Sequence, residues 1–295
     1  MSYSLIVNNK NVVGSNNNTY QYNFTKGNFT IPENAEIMIT SIQIPYSWFN
    51  ISATYNNNSF KIYFPTASTT YTSFTITIPD GFYTTTSLNS YLQQVCITNG
   101  LYLIDGSGNC IYYIVLAYNT TYYANQILTF TVPTSLPTGY TAPSNWIGYP
   151  VVSRTPYTSI LSTSKFGTFL GFTTGDYPGT GQTSNYSINS NITPVGSTVN
   201  SIIVRCSLVN NSITNPTDIL DSFTIGGATF GSNINFTNQI EKWIKLTPGS
   251  YNNFTITLVD QNFNTIYILD NNILISLIIR IIKIIFFFII YIEGM

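Results

Sequence analysis

Between Gly249 and Arg280 the chain carries the pattern that most restricts its fold. Phe254, Ile256 and Leu258 alternate with Thr255 and Thr257, the period-two signature of a strand with one buried face. A polar turn from Asp260 to Asn264 follows, then a second strand-like run, Ile266, Tyr267, Ile268 and Leu269. Asp270, Asn271 and Asn272 turn the chain again into residues 273–279, which are apolar on both faces. A strand apolar on both faces belongs in the middle of a sheet or between two layers. The regular part of the chain is therefore expected to end in a central strand, with much of what precedes it arranged as cover.

The preceding sequence repeats the motif. Tyr20, Tyr22 and Phe24 alternate, as do Phe60, Ile62 and Phe64 before Pro65, and Phe74, Ile76 and Ile78 before Pro79. Proline at strand ends fits, since it cannot donate to a central ladder. Ile37 and Ile39 oppose Met38, Ile42 and Ile44, which reads as a strand apolar on both sides. One helix stands out. Leu88, Tyr91, Leu92, Val95 and Cys96 make a stripe at helical spacing, with Ser87 as the expected N-cap and Gly100 as the stop. Residues 101–104 and 110–116 around a Gly-rich turn read as a hairpin, and Ile202, Val204, Cys206 and Leu208 as a strand. Pro216 to Leu220 is expected to form a helical turn marked by Asp218 and Asp221. From 133 to 194 the chain is rich in Pro, Gly, Thr and Ser, with isolated Trp146, Phe166, Phe169, Leu170 and Phe172. That composition describes long ordered loops with short strands, their aromatics available to a partner. Many short strands and one firm helix predict an all-β protein, a jelly-roll sandwich with long insertions and one short amphipathic helix. The expected division is a body over 1–280 with an inserted loop region at about 100–200, and a hydrophobic tail over 281–295 outside the fold.

Composition narrows the chemistry. Asp, Glu, Lys and Arg make up 7% of the chain, and about one residue in eight is Asn. With 10 Lys and Arg, no basic run and a net charge of −1, there is no electrostatic case for nucleic acid. There is no histidine, which removes Ser-His-Asp and Cys-His nucleophile pairs, HExxH zinc sites and histidine bases. Cys96, Cys110 and Cys206 are too few and too scattered for a zinc site or a disulfide framework, and read as free thiols in a reducing compartment. The first residues form no signal peptide, so the abundant Asn-x-Ser/Thr triplets are taken as chance.

The remaining motifs reduce to turns. Asp260, Asn262 and Asn264 start like a calcium loop, but Thr265 stands where Gly is needed and Asn271 where Glu is needed, leaving an Asx-type turn. Asp80, Asp105, Asp260 and Asp270 all lie in turn sequences, and no carboxylate pair suggests glycosidase chemistry. No catalytic, cofactor-binding or metal-binding residue is assigned. In residues 273–292, sixteen of the twenty are Ile, Leu or Phe. These favour insertion by roughly 5–10 kcal/mol, while Arg280 and Lys283 cost about 5–7 kcal/mol together, so the terms nearly cancel. If the stretch up to Arg280 is a strand, the run from Ile281 to Ile292 reaches only about 18 Å as a helix, short of a hydrocarbon core of about 30 Å. The tail is expected not to span, and its break in composition suits sequence translated past an ancestral end of the gene.

Several stretches together resemble a known family. They are the one from Gly249 to Arg280, Ile78-Pro-Asp-Gly-Phe-Tyr83 running into Leu88, Asn89, Tyr91 and Leu92, and Asn99-Gly-Leu-Tyr-Leu-Ile104. Pro143-Ser-Asn-Trp-Ile-Gly-Tyr-Pro150 and Phe169-Leu-Gly-Phe172 belong with them. The chain is similar, over roughly 1–280, to minor capsid (penton) proteins of virophages, Polinton/Maverick elements and related large DNA viruses. The resemblance implies a non-enzymatic jelly-roll virion subunit without cofactors. Such a subunit assembles as a homopentamer at icosahedral vertices beside a major capsid protein. It is made in the host cytoplasm or virus factory, in some cases from an integrated element. Two other readings remain: a β-sandwich binding protein anchored in a membrane through 281–292, and a carbohydrate-binding β-sandwich.

Overall fold

A computed structural model describes residues 1–66 and 70–282, and contacts divide the chain into two compact units. One comprises Met1–Trp48 and the chain from Val199 onward; the other is Phe49–Thr198. In chain order the strands are β1 (Ser2–Asn8), β2 (Thr19–Asn23), β3 (Phe29–Ile31) and β4 (Ala35–Pro45) in the first unit. The second unit holds β5 (Ser59–Pro65), β6 (Tyr71–Thr77), helix α1 (Thr85–Thr98), β7 (Tyr102–Ile104), β8 (Cys110–Tyr112), β9 (Ile114–Asn119) and β10 (Ala124–Thr129). It continues with β11 (Tyr157–Ile160), the five-residue α2 (Phe166–Leu170), β12 (Gly175–Tyr177) and β13 (Tyr186–Asn189). The chain returns to the first unit with β14 (Ser201–Cys206), β15 (Ile219–Thr224), β16 (Asn233–Thr237), β17 (Ile244–Lys245), β18 (Gly249–Tyr251), β19 (Asn253–Asp260) and β20 (Leu274–Ile281).

The first unit is a jelly roll. Its sheets run β1-β20-β4-β16 and β15-β14-β19-β2, all antiparallel. Counting its eight principal strands in order, first pairs with eighth, second with seventh, third with sixth and fourth with fifth. The short β3 and β18, in the connections between second and third and between sixth and seventh, also pair. That is one antiparallel ribbon wound into two sheets, the double Greek key of a jelly roll. Ile275, Leu277 and Ile279 of β20 face the core with Leu5 and Val7 of β1, opposite Ile202, Val204, Ile256 and Leu258 of the other sheet's strands. β20 is central as expected, although its outward residues Ile278 and Arg280 are half-buried and Leu274 is exposed. β4 is not apolar on both faces. Ser276 opposes Ser41 and Leu277 opposes Ile39, so Thr40 is an extra residue, a β-bulge. The bulge shifts the pleat by one, and Ile37, Ile39, Ile42 and Ile44 all enter the same core. The run 266–269 is no strand. Ile266 and Ile268 are buried, but their partner is a loop: Ile268 N–H donates to Asn16 C=O (3.0 Å), and Asn17 Nδ2 donates to Ile268 C=O (2.8 Å). Residues 216–218 form a turn leading into β15, not a helical turn.

The second unit has its own core, from Ile51 to Phe172, between the sheets β12-β11-β5-β6 and β13-β10-β9, with β7-β8 as a separate hairpin. α1 buries Leu88, Leu92 and Cys96 and packs on β9, where Leu116 N–H donates to Asn89 Oδ1 (2.9 Å). Its N-cap is Thr84, three residues before the expected Ser87. Ser87 is instead the return partner of a capping box: Ser87 N–H donates to Thr84 Oγ1 (3.1 Å) and Thr84 N–H to Ser87 Oγ (2.9 Å). The stop at Gly100 has two physical causes. Its φ of +65° suits glycine, and a Cβ there would lie 1.9 Å from the Asn145 carbonyl oxygen. Asn145 Nδ2 in turn donates to the helix-end carbonyls of Ile97 and Thr98, both at 3.2 Å.

Candidate functional site

The acidic residues weighed as possible ligands or catalysts are built into turns and pairs. Asp260 Oδ1 accepts the N–H groups of Asn262 and Asn264 (2.8 Å each), and Oδ2 accepts Asn264 Nδ2 (3.1 Å). Asp105 repeats this arrangement with Ser107 and Asn109, and the hydrogen bonds from Asn109 hold its carboxyl below the usual carboxylate range. Asp80 Oδ1 accepts Ala53 N–H (2.8 Å), and Asp270 Oδ1 accepts Asn272 N–H (2.9 Å). Among the described residues no group of three or more His, Cys, Asp or Glu is placed to hold a metal ion.

Two polar clusters in the jelly roll were not read from sequence. Asp221, buried in β15, accepts Lys242 Nζ (3.1 Å) and Asn238 Nδ2 (2.8 Å). Asn238 also donates from Nδ2 to Ile39 C=O (2.9 Å) and from its N–H to Thr40 C=O (3.1 Å), so it ties the bulge to the opposite sheet. Arg280 Nη2 reaches Glu36 at 2.8 Å while its guanidinium lies 3.8 Å from the Trp243 ring centroid. Trp243 Nε1 donates to Glu241 (2.7 Å), whose carboxylate is 3.8 Å from Arg280 Nη1. Arg205 pairs with Asp218 at 2.8 Å. These clusters fasten strands.

The expectation that the aromatics of 133–194 face a partner is overturned. Phe166, Phe169, Leu170 and Phe172 are buried in the second unit's core, and Trp146 packs on Phe64, Tyr113 and Tyr149. The large apolar residues that unit exposes most are Tyr122, Tyr123, Val151 and Val152. Cys96 and Cys206 are buried, and burial pushes each thiol up to about 12, which makes them inert; Cys110 is exposed. No helix among the described residues is long and apolar enough to cross a membrane. The tail expected over 281–295 lies outside the described residues from 283 on. Ile281 continues β20 opposite Ala35, and Ile282 N–H donates to Asn34 C=O (3.0 Å).

No protein-family model matches the chain, and no curated protein matches it. Among solved structures there are matches. The chain is similar to the mavirus penton protein. Identity is 12% over 94% of this chain and 97% of that one, with a TM-score of 0.42. It is also similar to a chain in the cryo-EM structure of the Sputnik virophage, at 13% identity over 95% of this chain and 96% of that chain, with a TM-score of 0.40.

Proposed function

We propose that this chain is a structural virion protein, a penton-type minor capsid subunit that assembles as a homopentamer at icosahedral vertices beside a major capsid protein. The observation that carries the reading is the strand order of the first unit, a jelly roll, which is a common architecture of capsid proteins. Residues 249–280, which resemble penton proteins in sequence, supply its last strands, β18 to β20. The acidic side chains weighed above as ligands or catalysts are spent on turns and pairs, which suits a non-enzymatic role.

Native mass spectrometry of the full chain, alone and mixed with the major shell protein of the same genome, tests this. A fivefold mass, or fivefold particles by electron microscopy, is the expected result. An assembled subunit of this kind buries about 2,000 Å² or more, so the species should persist on dilution to low micromolar protein. A monomer under both conditions, at every concentration, would remove the reading.

A further inference from the structure

We propose that the second unit carries a recognition pocket for a carboxylate-bearing peptide segment of a partner protein, an Asp or Glu flanked by a small apolar side chain, with Arg154 as the carboxylate's ligand. This goes beyond the assembly reading and does not depend on it. The chain has three arginines. Arg205 and Arg280 each hold a carboxylate at 2.8 Å, whereas Arg154 makes no ion pair among the described residues. It lines a cavity of about 140 Å³ with Pro65, Tyr71, Pro150, Val151 and Val152. That volume takes one medium-sized side chain. Among the described residues that line it, the polar side-chain groups are those of Arg154, Thr70 and Tyr71. A guanidinium set among apolar walls is a fork for a bidentate carboxylate, and the low local polarity strengthens the pair.

The frame is pre-built. Arg154 C=O accepts Val132 N–H (2.9 Å), and the next residue, Thr155, exchanges hydrogen bonds with Gln182 (2.8 and 2.9 Å). Tyr71 donates to Thr155 C=O (3.2 Å) and packs on Tyr157 at 5.0 Å. Gly181 lies against that hydroxyl so closely that a Cβ would sit 1.4 Å from it. Burial raises the Tyr71 phenol while the Arg154 charge opposes the rise, so the two groups share one field. Val151 and Val152 are 64% and 54% exposed, the largest uncovered apolar surface at the rim. A partner segment covers them only if it brings an apolar side chain next to its acid. A free phosphate would use the guanidinium and leave the valines bare.

The test is NMR titration of the full chain with acetyl-Val-Glu-Val-amide, its Gln counterpart and inorganic phosphate. The Glu peptide should saturate shifts of the Val151 and Val152 methyls and of Arg154 Nε–H with a dissociation constant of about 1 mM or tighter. The Gln peptide should bind at least about tenfold more weakly. Arg154→Met should abolish saturation, and Val151→Ser with Val152→Ser should weaken the Glu peptide by about fivefold or more while leaving phosphate unchanged. Thermal melts show whether each variant is folded, and the paired valine variant keeps the test open should Arg154→Met not fold. Equal binding of the Glu and Gln peptides, phosphate binding as tightly as the Glu peptide, or no saturation by about 10 mM peptide would overturn the proposal.

Discussion

Two buried hydroxyls, Thr129 of β10 and Thr158 of β11, are fully enclosed and have no hydrogen-bond partner among the described residues. Burying a hydroxyl without a partner costs about 1–3 kcal/mol. Valine has nearly the same shape, so Thr129→Val and Thr158→Val should each raise stability by about 1 kcal/mol or more. Urea midpoints check this, and a lowered midpoint for both would mean that the hydroxyls are satisfied in solution. Asp105 gives a pH prediction of definite sign. Its folded pKa is depressed, chiefly by the Asn109 N–H. The stabilisation of its turn is therefore present above the ordinary carboxylate value and is lost as pH falls through the lowered one. NMR titration of the Asp105 carboxyl carbon should give a midpoint below about 3.9; a midpoint at or above that value would contradict the turn as described. Asp105, Asp260 and Asp270 were legible in sequence because Asx turns are local, whereas the Asp80 carboxylate accepts from Ala53, 27 residues away. Arg205–Asp218 and Arg280–Glu36 were not, because each joins residues distant in sequence that strand pairing brings together, and strand pairing leaves no trace in local spacing.

At the scale of elements, period-two alternation located the strands well and their partners poorly. Ile266 and Ile268 alternate like a strand and are buried like one, yet a loop with Asn16 and Asn17 takes the place of a neighbouring strand. β4 carries the opposite lesson. Spacing of i, i+3 between Ile39 and Ile42 reads as two faces, and one extra residue at Thr40 turns it into a single face. The bulge predicts an unusual outcome. Deleting Thr40 leaves Ile39 and Ile42 two apart, in register with Leu277 and Ile275, so the core face survives. The loss is the hydrogen bond from Thr40 Oγ1 to Ser276 C=O (3.1 Å) and part of the Asn238 link, about 1–3 kcal/mol. Deleting Met38 instead turns Ile37 out of the core and should cost several times more. Denaturant unfolding of both deletions compares them directly. Equal losses would show that the extra residue is needed for more than the pleat. At the helix, the stripe from Leu88 to Cys96 was sufficient for existence and buried face, and its start was missed because the cap depends on a reciprocal Thr84–Ser87 pair.

For the whole molecule, alternation says which residues face a core but not which core. The sequence places an inserted region at about 100–200, while contacts group 49–198, because β5 and β6 alternate just as the jelly-roll strands do. What separates them is long-range pairing: β5 joins β6 and β11, and neither sheet of the jelly roll includes it. The second unit also has a core built from its own side chains, from Ile51 to Phe172. Its length falls in the usual range of independent domains, about 100–150 residues. Residues 49–198 expressed alone should therefore fold cooperatively, with a single thermal transition and a dispersed amide spectrum. The full chain should then show two calorimetric transitions, one at the temperature of the isolated unit, and Thr129→Val should move that transition only. Residues 49–198 that bind a hydrophobic dye and melt without a transition would instead mean that this core forms only with the jelly roll in place.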